Sequence, residues 1–198
     1  MIEKQKIVKA FKENGGILKT SELNELGLSS RQIKKLLEEG ELSKIKKGYY
    51  ELANEMNPEE VVIAKLFPKA IIFLESALLH YSYTDRIPAA WQIAVDRNSE
   101  KSQYDIEYPL IEPYYQDPKF LSIGVSTYED QGVRISIFDR DRTMCDLMRY
   151  EKKLEKEVVT NAVMRYIKDP QSNIRHLFEY AEVFNITKKI QSQIGKWL

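Results

Sequence analysis

Between Ser29 and Tyr50 the chain reads SSRQIKKLLEEGELSKIKKGYY, with six Lys or Arg against three Glu. Arg and Lys can donate to guanine edges, Gln can pair with adenine, and Ser and Lys reach phosphate oxygens. This is the chemistry of recognising a polyanion rather than of making or breaking bonds. The spacing of Ile33, Leu36 and Leu37 predicts a helix with that stripe inward, leaving Ser30, Arg31, Lys34 and Lys35 outward. Ser30, Arg31 and Gln32 fall at its N-terminal end, where a recognition helix usually touches bases. Lys44, Lys46 and Lys47 crowd an expected hairpin tip, where long cationic side chains can flank a phosphate strand. A lysine-rich face is ordinarily only a solvated face. Here, however, the cations lie on the two elements that geometry would set against DNA.

The preceding residues predict the scaffold for that surface. Ile7, Ala10 and Phe11 follow an i, i+3, i+4 pattern, so 3–14 reads as an amphipathic helix ended by Gly15-Gly16. Thr20 is expected to cap a second helix burying Leu23 and Leu26, and Gly27-Leu28 makes the turn. Ser29 is expected to cap the third helix, with Gln32 completing a capping box and Gly40 ending it. Leu42–Ile45 and Tyr49–Leu52 read as two short strands around Lys46-Lys47-Gly48. Helix, helix, turn, helix and β-hairpin within about 50 residues is the layout of a winged helix-turn-helix. Such folds also serve as protein-interaction modules, so the fold does not decide the partner.

A polar stretch at Ala53–Pro58 places the domain boundary, giving 1–53 as a winged helix and 54–198 as a second domain. Asn57 is expected to cap the next helix, with Pro58 at its first position. Strands are expected at Ala70–Leu74, Trp91–Val95, Phe120–Val125 and Val133–Phe138, and a short helix at Glu75–Tyr81. Helices are expected over 140–150, 154–168, 172–184 and 186–197. The expected class is α+β: an N-terminal winged helix-turn-helix, then a mixed α/β domain with a helical C-terminal part.

Lys plus Arg and Asp plus Glu number 30 each among 198 residues, so net charge by itself points to no partner. Segments differ: 1–53 carries eleven basic against eight acidic residues, 54–142 nine against fifteen, and 143–198 ten against seven. Cys145 is the single cysteine, which excludes a disulfide framework or thiolate zinc cluster within the chain and favours a reducing compartment. No run approaches the roughly 20 apolar residues that span a bilayer, and the N-terminus lacks a signal-peptide core. The expectation is a cytoplasmic protein with no membrane partner.

Catalytic signals are poor. His80 and His176 are far apart, Cys145 reads as a buried filler, and there is neither a P-loop nor GxSxG. Asp96, Glu107 and Glu112, assisted by Lys101 or Lys119, could be arranged as a metal-dependent nuclease site, but no spacing singles them out. No cofactor or metal is implied. The aromatic middle (Trp91, Tyr104, Tyr108, Tyr114, Tyr115) reads as core and loop anchors. In ISIFDRDRTMCDLMRY, residues 135–150, a strand runs into a helix capped near Asp139, with Arg140 and Arg142 opposing the helix dipole in its first turn. Either an interior Arg–Asp network or a partner-binding surface would account for them. The C-terminal helix carries Lys188, Lys189 and Lys196 on a face that could touch DNA phosphates.

Three segments together, LSKIKKGYYEL, AIIFLESALLHYSYTDRIP and ISIFDRDRTMCDLMRY, resemble the AbiEi family, the antitoxins of type IV toxin–antitoxin systems in abortive phage defence. The resemblance implies a non-enzymatic, bifunctional protein. Its winged helix would bind inverted repeats of double-stranded DNA in its own promoter and repress it, with two copies able to bind cooperatively. Its C-terminal domain would counteract a cognate nucleotidyltransferase toxin without requiring a stable complex. Arg140, Asp141, Arg142 and Asp146 are toxin-neutralising candidates only because they match the family-like motif. The alternative class is a nuclease or nucleic-acid-modifying enzyme targeted by a winged helix.

Overall fold

The computed structural model describes residues 4–195. α1 (Lys4–Glu13) buries Ile7, Ala10 and Phe11 and ends at the expected glycine pair. Both glycines adopt the left-handed conformation, φ 68° and 77°, and a Cβ on Gly16 would collide with the Asn57 side chain. After the pair, β1 (Ile17–Lys19) precedes α2 (Thr20–Glu25) and α3 (Ser30–Glu38), and β2 (Leu42–Lys46) and β3 (Tyr49–Leu52) form the wing. The three strands make one sheet in the order β1-β3-β2, antiparallel throughout. Phe11, Leu18, Leu23, Leu28, Ile33 and Leu42 fill the core beneath it. The winged helix-turn-helix expected from the sequence is present, with β1 as an addition.

Two caps differ from expectation. Thr20 lies inside α2, whose N-cap is Lys19; the Lys19 amide donates to Glu22 Oε2 (2.6 Å) and the Thr20 hydroxyl to the Gly48 carbonyl (3.4 Å). α4 (Glu59–Leu66) starts behind Pro58, while the Asn57 amide turns to Glu51 Oε2 (3.0 Å) and caps nothing.

By contacts the described chain divides into two compact units. One holds the residues up to Lys69 with Lys101–Leu110 and Tyr128–Ile135; the other holds Ala70–Glu100, Ile111–Thr127 and the residues from Ser136 onward. The first therefore extends past residue 53. α4 belongs to it through Val61, whose Cγ1 lies 3.2 Å from where a Cβ on Gly15 would stand.

The remaining strands are β4 (Ile71–Ile72), β5 (Trp91–Asp96), β6 (Ile111–Gln116), β7 (Val125–Asp130) and β8 (Val133–Phe138), in the sheet order β6-β5-β4-β8-β7. β5 runs parallel to β6, antiparallel to β4, and β4 parallel to β8. Gln131 and Gly132, φ 48° and 73°, supply the two left-handed positions that a tight hairpin turn requires between β7 and β8. The strand expected at Phe120–Val125 does not form. Asp117 caps a short helix, α6 (Pro118–Leu121), by accepting from the Lys119 amide, and Pro118 sits at its start.

α5 (Leu74–His80), α7 (Arg140–Tyr150), α8 (Lys156–Tyr166), α9 (Ile174–Val183) and α10 (Thr187–Gln193) complete the α+β fold. α7 is central, with Asp141 to Met148 all buried. Cys145 is among them; burial pushes its thiol well up, and Sγ contacts the Leu177 carbonyl, so it acts as the filler expected.

The polar part of α7 is an interior network. Arg142 Nε donates to Asp146 Oδ2 (2.8 Å), with both side chains fully buried. Arg142 Nη1 donates to the carbonyls of Phe120 (2.8 Å) and Ile123 (2.7 Å). The guanidinium lies 4.0 Å from the Phe138 ring centre and 4.3 Å from that of Phe184. Arg149 pairs with the other Asp146 oxygen. Gly124 closes the shell because a Cβ there, at φ 68°, would lie 2.6 Å from Arg142 Cβ. Asp139 caps α7 through the Arg142 amide (2.7 Å) and accepts from the Tyr180 hydroxyl (2.8 Å). Asp146→Ala strands Arg142 without its carboxylate and is expected to cost about 3–5 kcal/mol in urea unfolding. The paired replacement Arg142→Met with Asp146→Leu is expected to cost less, because the fully buried guanidinium goes with its carboxylate, and only the partly exposed Arg149 and the Phe120 and Ile123 carbonyls lose a partner.

Candidate nucleic-acid interface

The surface is built on a helix whose inward residue is Ile33, 3% exposed. At its start the capping box is complete: the Gln32 amide donates to Ser29 Oγ (3.4 Å), and Gln32 Oε1 accepts from Ser29 N (2.9 Å) and Oγ (2.7 Å). Arg31, Lys34 and Lys35 are exposed, as are Ser30 and Gln32. Lys34 and Lys35 pair with Glu38 and Glu39 one turn on, at 3.7 and 3.5 Å. Exposed i,i+4 pairs are worth only about 0.3–0.5 kcal/mol, so phosphates can displace the carboxylates at small cost. Gln32 is different. Its carbonyl oxygen already serves the cap, and bidentate pairing with adenine needs that atom. While it caps the helix, Gln32 therefore has no free carbonyl oxygen to offer a base.

The wing also separates its lysines. Lys44 pairs with Tyr50 and Lys46 with Tyr49, so Ile45 is an extra residue bulged out of the ladder. Tyr49 and Tyr50 point to opposite faces, and so do Lys44 and Lys46, although two-residue spacing would otherwise put them together. Lys44 and Lys47 are exposed. Lys46 is half-buried, donates to the Gln103 carbonyl and lies 4.7 Å over the Phe67 ring; burial lowers its ammonium from the ordinary lysine value. The structure thus places the expected phosphate contact Lys46 as an internally held cation.

Further candidates are corrected in the same way. Lys189 donates to the Met148 carbonyl near the end of α7 and pairs with Glu151 (2.7 Å), so its charge is satisfied internally. Lys188 is exposed, and Lys196 lies outside the described residues. The toxin-neutralising candidates are interior or half-buried. Arg142 and Asp146 form the sealed pair of α7. Asp141 accepts from the Tyr166 hydroxyl and the Asn173 amide, both at 2.8 Å, and burial pushes its carboxyl up. Arg140 pairs with Asp169 (2.9 Å) over the Tyr81 ring. Of the two accounts open from sequence, the interior Arg–Asp network is what the structure contains.

The nuclease candidates do not assemble. Asp96 accepts from the Asn98 amide (2.8 Å) in a turn, and Glu112 from Gln92 Nε2 (2.9 Å). Among the described residues, no group of three His, Cys, Asp or Glu is placed to hold a metal. No helix among them is long and apolar enough to cross a membrane.

With the geometry in hand, residues 5–53 match the family described as "Transcriptional regulator, AbiEi antitoxin". Over residues 5–53 the AbiEi resemblance is borne out. The matched segment is the winged helix itself, from α1 to the end of β3, and the family it matches consists of regulator antitoxins. The fold is also similar to the crystal structure of the RV2827C protein from Mycobacterium tuberculosis, with a TM-score of 0.60 at 12% identity, over 90% of this chain and 70% of that one. No curated protein sequence matches the chain.

The cap can be tested by stability. Ser29→Ala is expected to cost about 1 kcal/mol in urea unfolding, the usual loss for a helix cap. Gln32→Glu keeps an acceptor for the cap and is expected to leave stability within about 0.5 kcal/mol of the parent.

Proposed function

We propose that this chain is a non-enzymatic antitoxin and transcriptional autorepressor. It acts in the cytoplasm, binds inverted repeats in its own promoter through α3 and the wing, and counteracts a cognate nucleotidyltransferase toxin. The observation that carries this reading is the exposure of Ser30, Arg31, Lys34 and Lys35 on α3 together with Lys44 and Lys47 on the wing. Those residues belong to the segment that matches a family of AbiEi regulators. In functional terms residues 1–53 are the DNA-binding domain and 54–198 the part that opposes the toxin. This division by role is narrower at the N-terminal side than the division by contacts. Half-sites one or two helical turns apart would let two copies bind one face of the duplex, cooperatively if they touch.

Arg31 is assigned to base edges, with Ser30 beside it, and Lys34, Lys35, Lys44 and Lys47 to phosphates. Phosphate contacts set the salt dependence of binding, whereas base contacts set the preference among sequences. The buried candidates Arg140, Asp141, Arg142 and Asp146 support the fold of the toxin-opposing part rather than contacting the toxin. Opposition then falls to side chains outside that network, and it needs no stable complex.

A gel-shift titration of the upstream promoter fragment tests the reading, with retardation expected at low salt. Failure to retard that fragment under those conditions overturns it. Arg31→Ala is expected to reduce discrimination against random DNA by about 1–3 kcal/mol. Lys44→Ala with Lys47→Ala is expected to weaken binding to all sequences alike and to flatten the salt slope by about two. Equal losses on operator and random DNA for both variants would remove the assignment of Arg31 to bases. Co-expression with the neighbouring nucleotidyltransferase checks the second role: restored growth is expected, and the Asp146→Ala variant should restore it only as far as it stays folded.

A further inference from the structure

An ammonium that leaves water needs acceptors, and Lys46 has found two of different kinds. Its Nζ donates to the Gln103 carbonyl and sits 4.7 Å above the Phe67 ring. Phe67 in turn lies 5.2 Å from the ring of Tyr104. The partners come from the end of α4 and from the 3-10 turn Lys101–Tyr104, all within the first unit. On the other flank of the wing turn, the Gly48 carbonyl accepts from the Thr20 amide at 2.9 Å and from the Thr20 hydroxyl at 3.4 Å. The tip residues Lys47 and Gly48 are therefore held from both sides, by Lys46 on one and Thr20 on the other.

We propose that Lys46 is a positioning residue of the wing, an internal cation that clamps β2 to the Lys101–Tyr104 turn and so fixes where Lys44 and Lys47 present their charges. This rests on the DNA-binding reading of the wing. The bulge at Ile45 is what makes the device possible, since without it Lys46 would share the face of Lys44. Reaching a phosphate would oblige Lys46 to release both the carbonyl and the ring. A wing held in place before binding loses less conformational freedom on the duplex, which raises affinity without adding a phosphate contact. The two roles, clamp and contact, therefore leave different marks on salt dependence. A contact changes the slope of log affinity against log salt by about 0.9 per phosphate, whereas a clamp leaves that slope unchanged.

The experiment measures promoter binding by the full chain across a salt series, alongside hydrogen exchange of the wing amides 44–50. Lys46→Met is expected to bind roughly tenfold more weakly with the parent slope, and to exchange faster at 44–50. Lys46→Arg, which retains a donor and a cation for the ring, is expected to recover most of both. Lys47→Ala is expected to flatten the slope and leave exchange unchanged. A flattened slope for Lys46→Met makes it a phosphate contact and overturns the clamp, as does unchanged affinity and exchange. Should Lys46→Met fail to fold, Phe67→Leu removes the ring while keeping apolar bulk. Faster exchange at 44–50 with the parent slope is then expected, and no change overturns the proposal. If the parent protein binds no promoter DNA, the DNA reading falls, and the exchange comparison alone decides whether Lys46 holds the wing.

Discussion

A cation withdrawn from water must be met by acceptors inside the protein, and this constraint sorts the basic residues of the chain into two classes. Arg142 is the extreme case, enclosed by one carboxylate, two carbonyls and two aromatic rings. The segment from Phe120 to Gly124, the cap of α7 and the ring of Phe184 all meet it. Arg140, Lys46 and Lys189 obey the same rule in milder form, each trading hydration for a carboxylate or carbonyl and, in the first two, an aromatic face. Arg31, Lys44 and Lys47 have not made that exchange and stay in water. A residue of the second class retains its charge for a partner; a residue of the first has already spent it on the fold.

The winged helix was legible because its signals are local. A glycine pair, a Ser-x-x-Gln box and a 3.6-residue apolar stripe each depend on neighbours within four positions, and each appears where the sequence put it. The details that escaped depend on distant residues. Thr20 has the chemistry of a cap, yet its hydroxyl is drawn to Gly48, 28 positions away. The bulge at Ile45 leaves no mark in LSKIK, where Lys44 and Lys46 alternate as in a regular strand. It shows only in how β2 pairs with β3. Gln32 shows the opposite limit. The sequence announced both the cap and the adenine reader, but one carbonyl oxygen cannot do both at once.

In the rest of the chain the helices were more legible than the strands for the same reason. α7 and β8 fall on their expected ranges, the first marked by its Asp139 cap and the second by alternating Ile135 and Ile137. β6 carries Pro113 and a row of aromatics, which read as loop; as an edge strand it can spare the ladder hydrogen bond that proline removes. β7, the opposite edge, is largely polar and exposed, so it has no apolar alternation to betray it. Both strands are defined by the neighbour they pair with, and that neighbour is not written into their own composition.

The segment ISIFDRDRTMCDLMRY shows why a recognisable motif need not be a contact surface. Two arginines in the first turn of a helix oppose its dipole, and a solvated helix gains nothing from them. A buried helix can, provided each cation finds acceptors, and here Arg142 and Arg149 share the Asp146 carboxylate, Arg142 adds two carbonyls, and Asp169 answers Arg140. Such a set is hard to alter piecemeal, because removing one partner leaves the other buried and unpaired at a cost of about 3–5 kcal/mol. The pattern is therefore distinctive on account of packing. The exposed lysines of α3 and the wing are under the reverse condition: each can change at little cost to folding.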